Sequence, residues 1–293
     1  MTDKYYFLGH ETLTNRGCEA LLRGISSIIR ERQYGAEFLA PSFDIENDQK
    51  QWIRSNEMGV SFIPAYHMPL YVRVWGRLDR VLPGLRRMWT PSPPIPENIR
   101  ESLRDTTAGI MTGGDVLSLD YGIPSLVKFM GQAESYMASG RPVFLWAASV
   151  GPFESQPDVE KYAARHLATY SGISVRETSS YNYLKKLGLY NVKQVADPAF
   201  VMVPEPWETT TVLPKELGEG LLGFNVSPLI KSFRNDDSHV HEMEMAVVEF
   251  LQDVIKHTNL AIVLIPHVDS FDGGGWNSDY LYMQGLVKYI GLP

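Results

Sequence analysis

Short apolar runs recur along this chain at the spacing of alternating strands and helices, and nearly every run closes on a small, polar or charged residue. The runs are Tyr5–Leu8, Glu37–Ala40, Val60–Ile63, Ala108–Thr112, Pro142–Ala148, Gly172–Val175, Val192–Val195, Leu221–Val226 and Leu260–Ile265. Between them lie longer stretches with helical periodicity. In 16–32, for example, Leu21, Ile25, Ile28 and Ile29 fall on one face, and Asn15 offers an N-cap. Strand, helix, strand in this order is the βαβ unit, whose crossover makes the two strands parallel. The pattern therefore predicts an α/β protein built on parallel sheets, with strand 37–40 ending at Pro41.

Open parallel sheets bind ligands outside the carboxyl ends of their strands. The residues that close the runs are thus the first place to look for chemistry. They read Asn15-Arg16-Gly17, Gly113-Gly114-Asp115, Ser149-Val150-Gly151-Pro152, Ser174-Val175-Arg176-Glu177, Asp197-Pro198-Ala199-Phe200 and Pro266-His267. In this order the set resembles the polysaccharide pyruvyl transferase family, over most of the chain. The family's downstream Arg-x-His motif has no counterpart before Pro293. The resemblance implies two Rossmann-like domains facing a cleft, as in glycosyltransferase-B folds. It also implies phosphoenolpyruvate as donor and co-substrate, no other cofactor, and a sugar or lipid-linked glycan as acceptor. The product would be a pyruvyl ketal on a cell-surface polysaccharide or its precursor.

Each motif has a functional and a structural reading. Asn15-Arg16-Gly17 opens a helix, where unpaired backbone amides attract anions, but it also serves as a capping turn. Gly113-Gly114-Asp115 lets a ligand approach the backbone, and lacks the lysine of a phosphate-binding Walker loop. Ser149-Val150-Gly151-Pro152 leaves room for a ligand or for a neighbouring loop. Arg176 closes a short strand and suits two-pronged recognition of phosphate or carboxylate; its structural alternative is an ion pair with Glu177 or another acid. Asp197 binds substrate or caps its own turn. His267 follows an apolar strand and titrates in the right range for general acid or base work. Arg176 and His267 are the candidate catalytic residues. Asn15, Arg16, Gly17, Gly113, Gly114, Asp115, Ser149 and Asp197 are the candidate substrate contacts. Cys18, the single cysteine, excludes an intrachain disulfide and reads as a small buried apolar residue.

No metal site is expected, because His239, His241 and the acids around them lack ligand spacing. The net charge of −7, from 27 basic and 34 acidic side chains, argues against general nucleic-acid binding. No apolar run has the length of a spanning helix and the start lacks a signal-peptide core, so a cytoplasmic protein is expected.

The segment 66–97 breaks the α/β rhythm and reads as an inserted helical hairpin with a proline-rich tail. Within 70–90 it carries Arg73, Arg77, Arg80, Arg86 and Arg87 against one acid, Asp79, interleaved with Trp75, Leu78, Val81 and Trp89. This composition suits peripheral contact with an anionic membrane at the inner face, or a lid or dimer contact. Domains are expected over 1–203 and 217–293, the second holding only two strands and so reading as incomplete. A nucleotide-sugar glycosyltransferase of similar fold and a degenerate, non-catalytic glycan binder are the rival functions.

Overall fold

The computed structural model describes residues 3–82, 84–112, 114–204, 208, 213, 218–233, 237–269 and 277–291. The chain divides into two compact units, residues 1–13 with 17–202, and residues 14–16 with 203–293.

The first unit is a seven-stranded, all-parallel sheet. Its strands are β1 (Lys4–Leu8), β2 (Glu37–Ser42), β3 (Val60–Pro64), β4 (Ala108–Met111), β5 (Val143–Ala148), β6 (Gly172–Val175) and β7 (Val192–Gln194). They lie in the order β3-β2-β1-β4-β5-β6-β7, the doubly wound Rossmann arrangement with its reversal between β1 and β4. The helices are α1 (Arg16–Arg32), α2 (Ile45–Gln51), α3 (Leu70–Val81), α4 (Leu85–Met88), α5 (Glu97–Ser102), α6 (Ile123–Met137), α7 (Pro157–Leu167) and α8 (Thr178–Lys186). Right-handed crossovers running outward in opposite directions must land on opposite faces of the sheet. Accordingly α1 and α2 cover one face, with Phe7, Leu22, Ile25, Phe38, Trp52 and Ile110 in a common core. On the other, Leu8, Met111, Leu126, Met130, Leu145, Ala163 and Leu184 pack together. Successive residues of β1 and β4 feed alternate cores, as the two-residue repeat of a strand requires.

Two expectations change in physical detail. Strand β2 runs through Pro41 to Ser42 rather than stopping before the proline. Its pairing with β1 has already ended at Tyr6–Leu39, and the Phe38 N–H points to β3, donating to Gly59. By alternation the N–H that Pro41 lacks would face the side where no partner remains. The 66–97 segment, read as an insertion, is the connection from edge strand β3 to central strand β4. It delivers Val72 and Trp75 to a small core with Val127, and Ile95 to the main one.

Helix α1 also meets the turn after β7. A Cβ on Gly24 would lie 2.1 Å from the Pro198 carbonyl oxygen. Glycine is required there because two backbones touch.

The second unit pairs β8 (Gly220–Phe224) with β9 (Leu260–Leu264) in parallel, flanked by α9 (Asp237–His257) and α10 (Asp279–Ile290). Val226, Val248, Met283 and Leu286 form its core. Residues 14–16 belong to this unit through a bridge between Asn15 and Val268 and a bond from the Asp269 N–H to the Thr14 carbonyl, 2.9 Å. Asp279, buried at the start of α10, fastens the loop after β9. One of its oxygens accepts the N–H groups of His267 and Val268, each at 2.9 Å, and the Asn225 amide at 3.1 Å. Burial alone would raise this carboxyl, but those donors outweigh it and hold it below its ordinary value of 3.8.

Gly24→Ala should destabilise the chain by roughly 1–3 kcal/mol of overpacking, more than the about 1 kcal/mol that alanine adds to a helix. Urea unfolding of the variant measures it, and unchanged stability would mean the turn yields freely. Asp279→Ala should cost about 2–3 kcal/mol by stranding two backbone donors. Because the folded carboxyl is depressed, its contribution is complete above pH ~4 and disappears as pH falls through the lower folded value. Hydrogen exchange at residues 267–269 should therefore accelerate in the variant at neutral pH, and in the parent only in acid.

Candidate functional site

Strands β1, β4, β5 and β6 are adjacent and parallel, so their carboxyl ends open on one side of the sheet. The sequence motifs of the first unit gather there around Arg176, the residue after β6. Its Nε donates to the Ser149 hydroxyl at 3.1 Å and its Nη1 to Asp197 at 2.7 Å. Glu177 lies 3.6 Å from Nε. Among the described residues Nη2 has no hydrogen-bond partner, and it faces the turn after β4: a Cβ on Gly114 would come within 3.8 Å of it. Gly114 has φ +31°, a backbone conformation that glycine adopts readily, and puts no side chain against Nη2.

The ion-pair reading of Arg176 and the turn-capping reading of Asp197 are both seen in the structure. Arg176 is in an ion pair, and among the described residues its Nη2 has no hydrogen-bond partner. Asp197 caps its turn, accepting the Ala199 N–H at 2.8 Å through one oxygen, and grips Arg176 through the other. Gly24 sets the position of that turn, so the close packing on α1 also positions the carboxylate.

The Ser149–Pro152 turn is filled by protein. Its Ser149 N–H donates to the Gly114 carbonyl at 2.6 Å, and its Gly151 N–H to Leu117 at 2.9 Å. The Val150 N–H donates to the Ser180 hydroxyl at 3.0 Å, and the Tyr183 ring packs on Gly151. The Ser149 hydroxyl accepts from Arg176 and donates to Glu177 at 2.5 Å, so this serine orients the cation. Just before it, Ala147 has φ +48° where β5 bulges against β6. A buried alanine in the left-handed region costs on the order of 1–3 kcal/mol. The bonds around it, including Ala147 N–H to the Ser174 hydroxyl at 2.9 Å, hold it there.

Asp115 follows Gly114 and accepts the Tyr121 hydroxyl at 3.1 Å. Burial, reinforced by the Asp115 carboxylate, pushes the Cys18 thiol up to about 11, with Arg176 opposing. A thiol that reluctant to ionise is no nucleophile at neutral pH. Gly113 lies outside the described residues.

In the second unit the His267 backbone is held on both sides. Its N–H goes to Asp279, and its carbonyl accepts the Arg16 N–H at 3.0 Å. The imidazole itself is exposed. Asn15 and Arg16 share this unit with His267, and Gly17 belongs to the first. His239 and His241 lie two apart on helix α9, which turns them to nearly opposite faces.

Sequence reasoning passed over a buried polar group just after β1. The Lys128 ammonium, on α6, is bonded to the Glu11 carboxylate with both nearly enclosed. Burial pushes Glu11 up and Lys128 down, each opposed by its partner. His10, beside them in sequence, is buried with Nε2 unpartnered, and burial pushes its imidazole down to about 3, so it is neutral. The available signals were the polar triplet Gly9-His10-Glu11 after a strand, and Lys128 as the lone charge in the run 123–133.

No curated protein matches the chain significantly. Among solved structures, a protein described as a putative UDP-N-acetylglucosamine 2-epimerase from Listeria monocytogenes aligns at 8% identity and TM-score 0.38. That alignment covers 66% of this chain and 44% of the epimerase. The chain therefore spans less than half of the epimerase's length. The phosphotriesterase homology protein of Escherichia coli, solved with phosphate in its active site, aligns at 13% identity and TM-score 0.30, over 100% of this chain and 93% of that one. Likeness at this level does not define a shared fold, and the fold assignment rests on strand order. The polysaccharide pyruvyl transferase model matches residues 15–284, most of the chain and all of the motifs above, and the protein belongs to the polysaccharide pyruvyl transferase family.

Proposed function

We propose that this protein transfers the pyruvyl unit of phosphoenolpyruvate to a sugar of a cell-surface polysaccharide or its precursor, forming a ketal. The reaction protonates the methylene carbon of the enol, adds one sugar hydroxyl to the adjacent carbon, and expels phosphate as a second hydroxyl closes the ketal. It calls for a clamp on the donor's phosphate and carboxylate, a proton donor, and a base for the hydroxyls. The observation that supports this reading is Arg176, held by Ser149 and Asp197, with Nη2 beside Gly114 and without a hydrogen-bond partner among the described residues. A guanidinium fixed in advance loses little freedom when an anion arrives.

In this reading Arg176 clamps the donor, and Ser149 and Asp197 orient it. Asn15, Arg16 and Gly17 are further substrate contacts in this reading, with the Arg16 guanidinium as the cation among them. The Gly113–Asp115 turn takes substrate, with Asp115 as an acceptor for sugar hydroxyls. His267 is the acid or base, with an exposed imidazole on a backbone that two hydrogen bonds hold still. No metal is invoked, and phosphoenolpyruvate is co-substrate rather than resident cofactor.

A second reading has an observation of its own. Around Arg176 the first unit places three carboxylates, Asp115, Glu177 and Asp197, against one guanidinium. Carboxylates accept hydroxyl donors well and repel anions, which favours a member that binds glycan without transferring pyruvate.

Arg176→Lys keeps the charge and loses the fork, so phosphoenolpyruvate affinity should fall roughly 10- to 100-fold, the equivalent of about 1.5–3 kcal/mol. Calorimetric titration of parent and variant, beside a pyruvylation assay with a panel of sugars, checks it. Equal donor affinity would make Arg176 structural. Sugar binding without any donor binding in the parent would favour the second reading.

A further inference from the structure

Helix α3 has two apolar faces, and only one of them packs on α6. Val72 and Trp75 point inward, 0% and 2% exposed, and a Cβ on Gly76 would strike the Pro124 ring at 2.3 Å. The helix is therefore seated tightly on α6. On the opposite side Leu70, Val74, Leu78 and Val81 recur three or four residues apart and so form one stripe. Leu70 is 74% exposed and Val81 77%. Beside the stripe Arg73, Arg77 and Arg80 form a parallel rail by the same spacing, all three exposed. Leu82, Met88 and Trp89 extend the apolar surface into α4, with Met88 86% exposed. The Trp75 indole N–H donates to the Trp89 carbonyl at 3.1 Å, which fastens the end of α4 to α3.

We propose that this hairpin docks the protein on an anionic membrane surface, its apolar stripe entering the headgroup boundary and its arginine rail meeting lipid phosphates. Charge selects the occupant. The only acid between 70 and 90 is Asp79, which is buried and held by Arg86 through both oxygens, at 3.0 and 2.9 Å. The rail therefore has no carboxylate of its own segment beside it, on a chain whose net charge is −7. A twofold contact with a second copy would lay arginines against the same arginines, with no acid in this segment to compensate. An anionic bilayer supplies the missing charge and an apolar layer together.

A cavity of about 210 Å³ next to the hairpin points the same way. Trp75, Ile123 and Val127 line it together with Lys161, Arg165 and the Arg87–Asp158 ion pair. Apolar walls with two further cations, Lys161 and Arg165, suit the phosphate end of a lipid.

Flotation of the full chain with vesicles tests the proposal without donor or acceptor, so its outcome is independent of the pyruvyl-transfer reading. Phosphatidylcholine vesicles containing phosphatidylglycerol should carry the protein, and phosphatidylcholine alone should not. High salt should release it. The triple variant Arg73→Glu, Arg77→Glu, Arg80→Glu and the double variant Leu78→Glu, Val81→Glu should each lower binding at least tenfold. Three arginines near such a surface are together worth on the order of 100-fold. These residues are exposed, and thermal melting should show both variants folded like the parent. Absence of binding by the parent, or parent-like binding by the arginine variant, would overturn the proposal. So would a parent dimer that the Leu78→Glu, Val81→Glu variant dissolves while neither form floats.

Discussion

The first unit depends on the adjacency of β1 and β4 at the middle of its sheet. From that pair the chain winds outward both ways, through β2 and β3 on one side and β5 to β7 on the other. Right-handed crossovers then place helices on both faces and bring the strand ends at the reversal to one edge of the sheet. The loops after β1, β4, β5 and β6 have one open side to share. Arg176, Ser149, Asp115 and Cys18 come together there although they span more than half of the chain.

Within that arrangement the protein spends backbone strain and packing on one cation. Ala147 is held at positive φ, Gly24 admits the turn carrying Asp197, and the Ser149 turn is tied to Gly114 and Leu117. Each fixes an acceptor of Arg176 or the loop beside it. The result is a guanidinium with a defined orientation in an otherwise acidic surrounding.

The fold is legible in the sequence because strands and helices write themselves in local periods. The run Gly172–Val175 matches β6 residue for residue, and the other strand runs lie within about two residues of the observed elements. Membership of the family is legible in the closing motifs. Features that join distant positions are not. Lys128 has the look of a solvated helix residue until Glu11, 117 positions earlier, is placed against it. Asp279 reads as an ordinary first-turn acid, and only the folded chain shows it holding the His267 loop. The 66–97 segment reads as an insertion because its composition differs, yet its inward residues are part of the core.

The most direct test of the central claim is the Nε–H resonance of Arg176 in a protein labelled with ¹⁵N-arginine, assigned by its loss in Arg176→Lys. Titration with phosphoenolpyruvate should shift that resonance and saturate with the same affinity that calorimetry gives. Glucose titrated alone should leave it unmoved. A chain that pyruvylates a sugar while the Arg176 signal stays where it was would contradict the account, and would place the donor elsewhere.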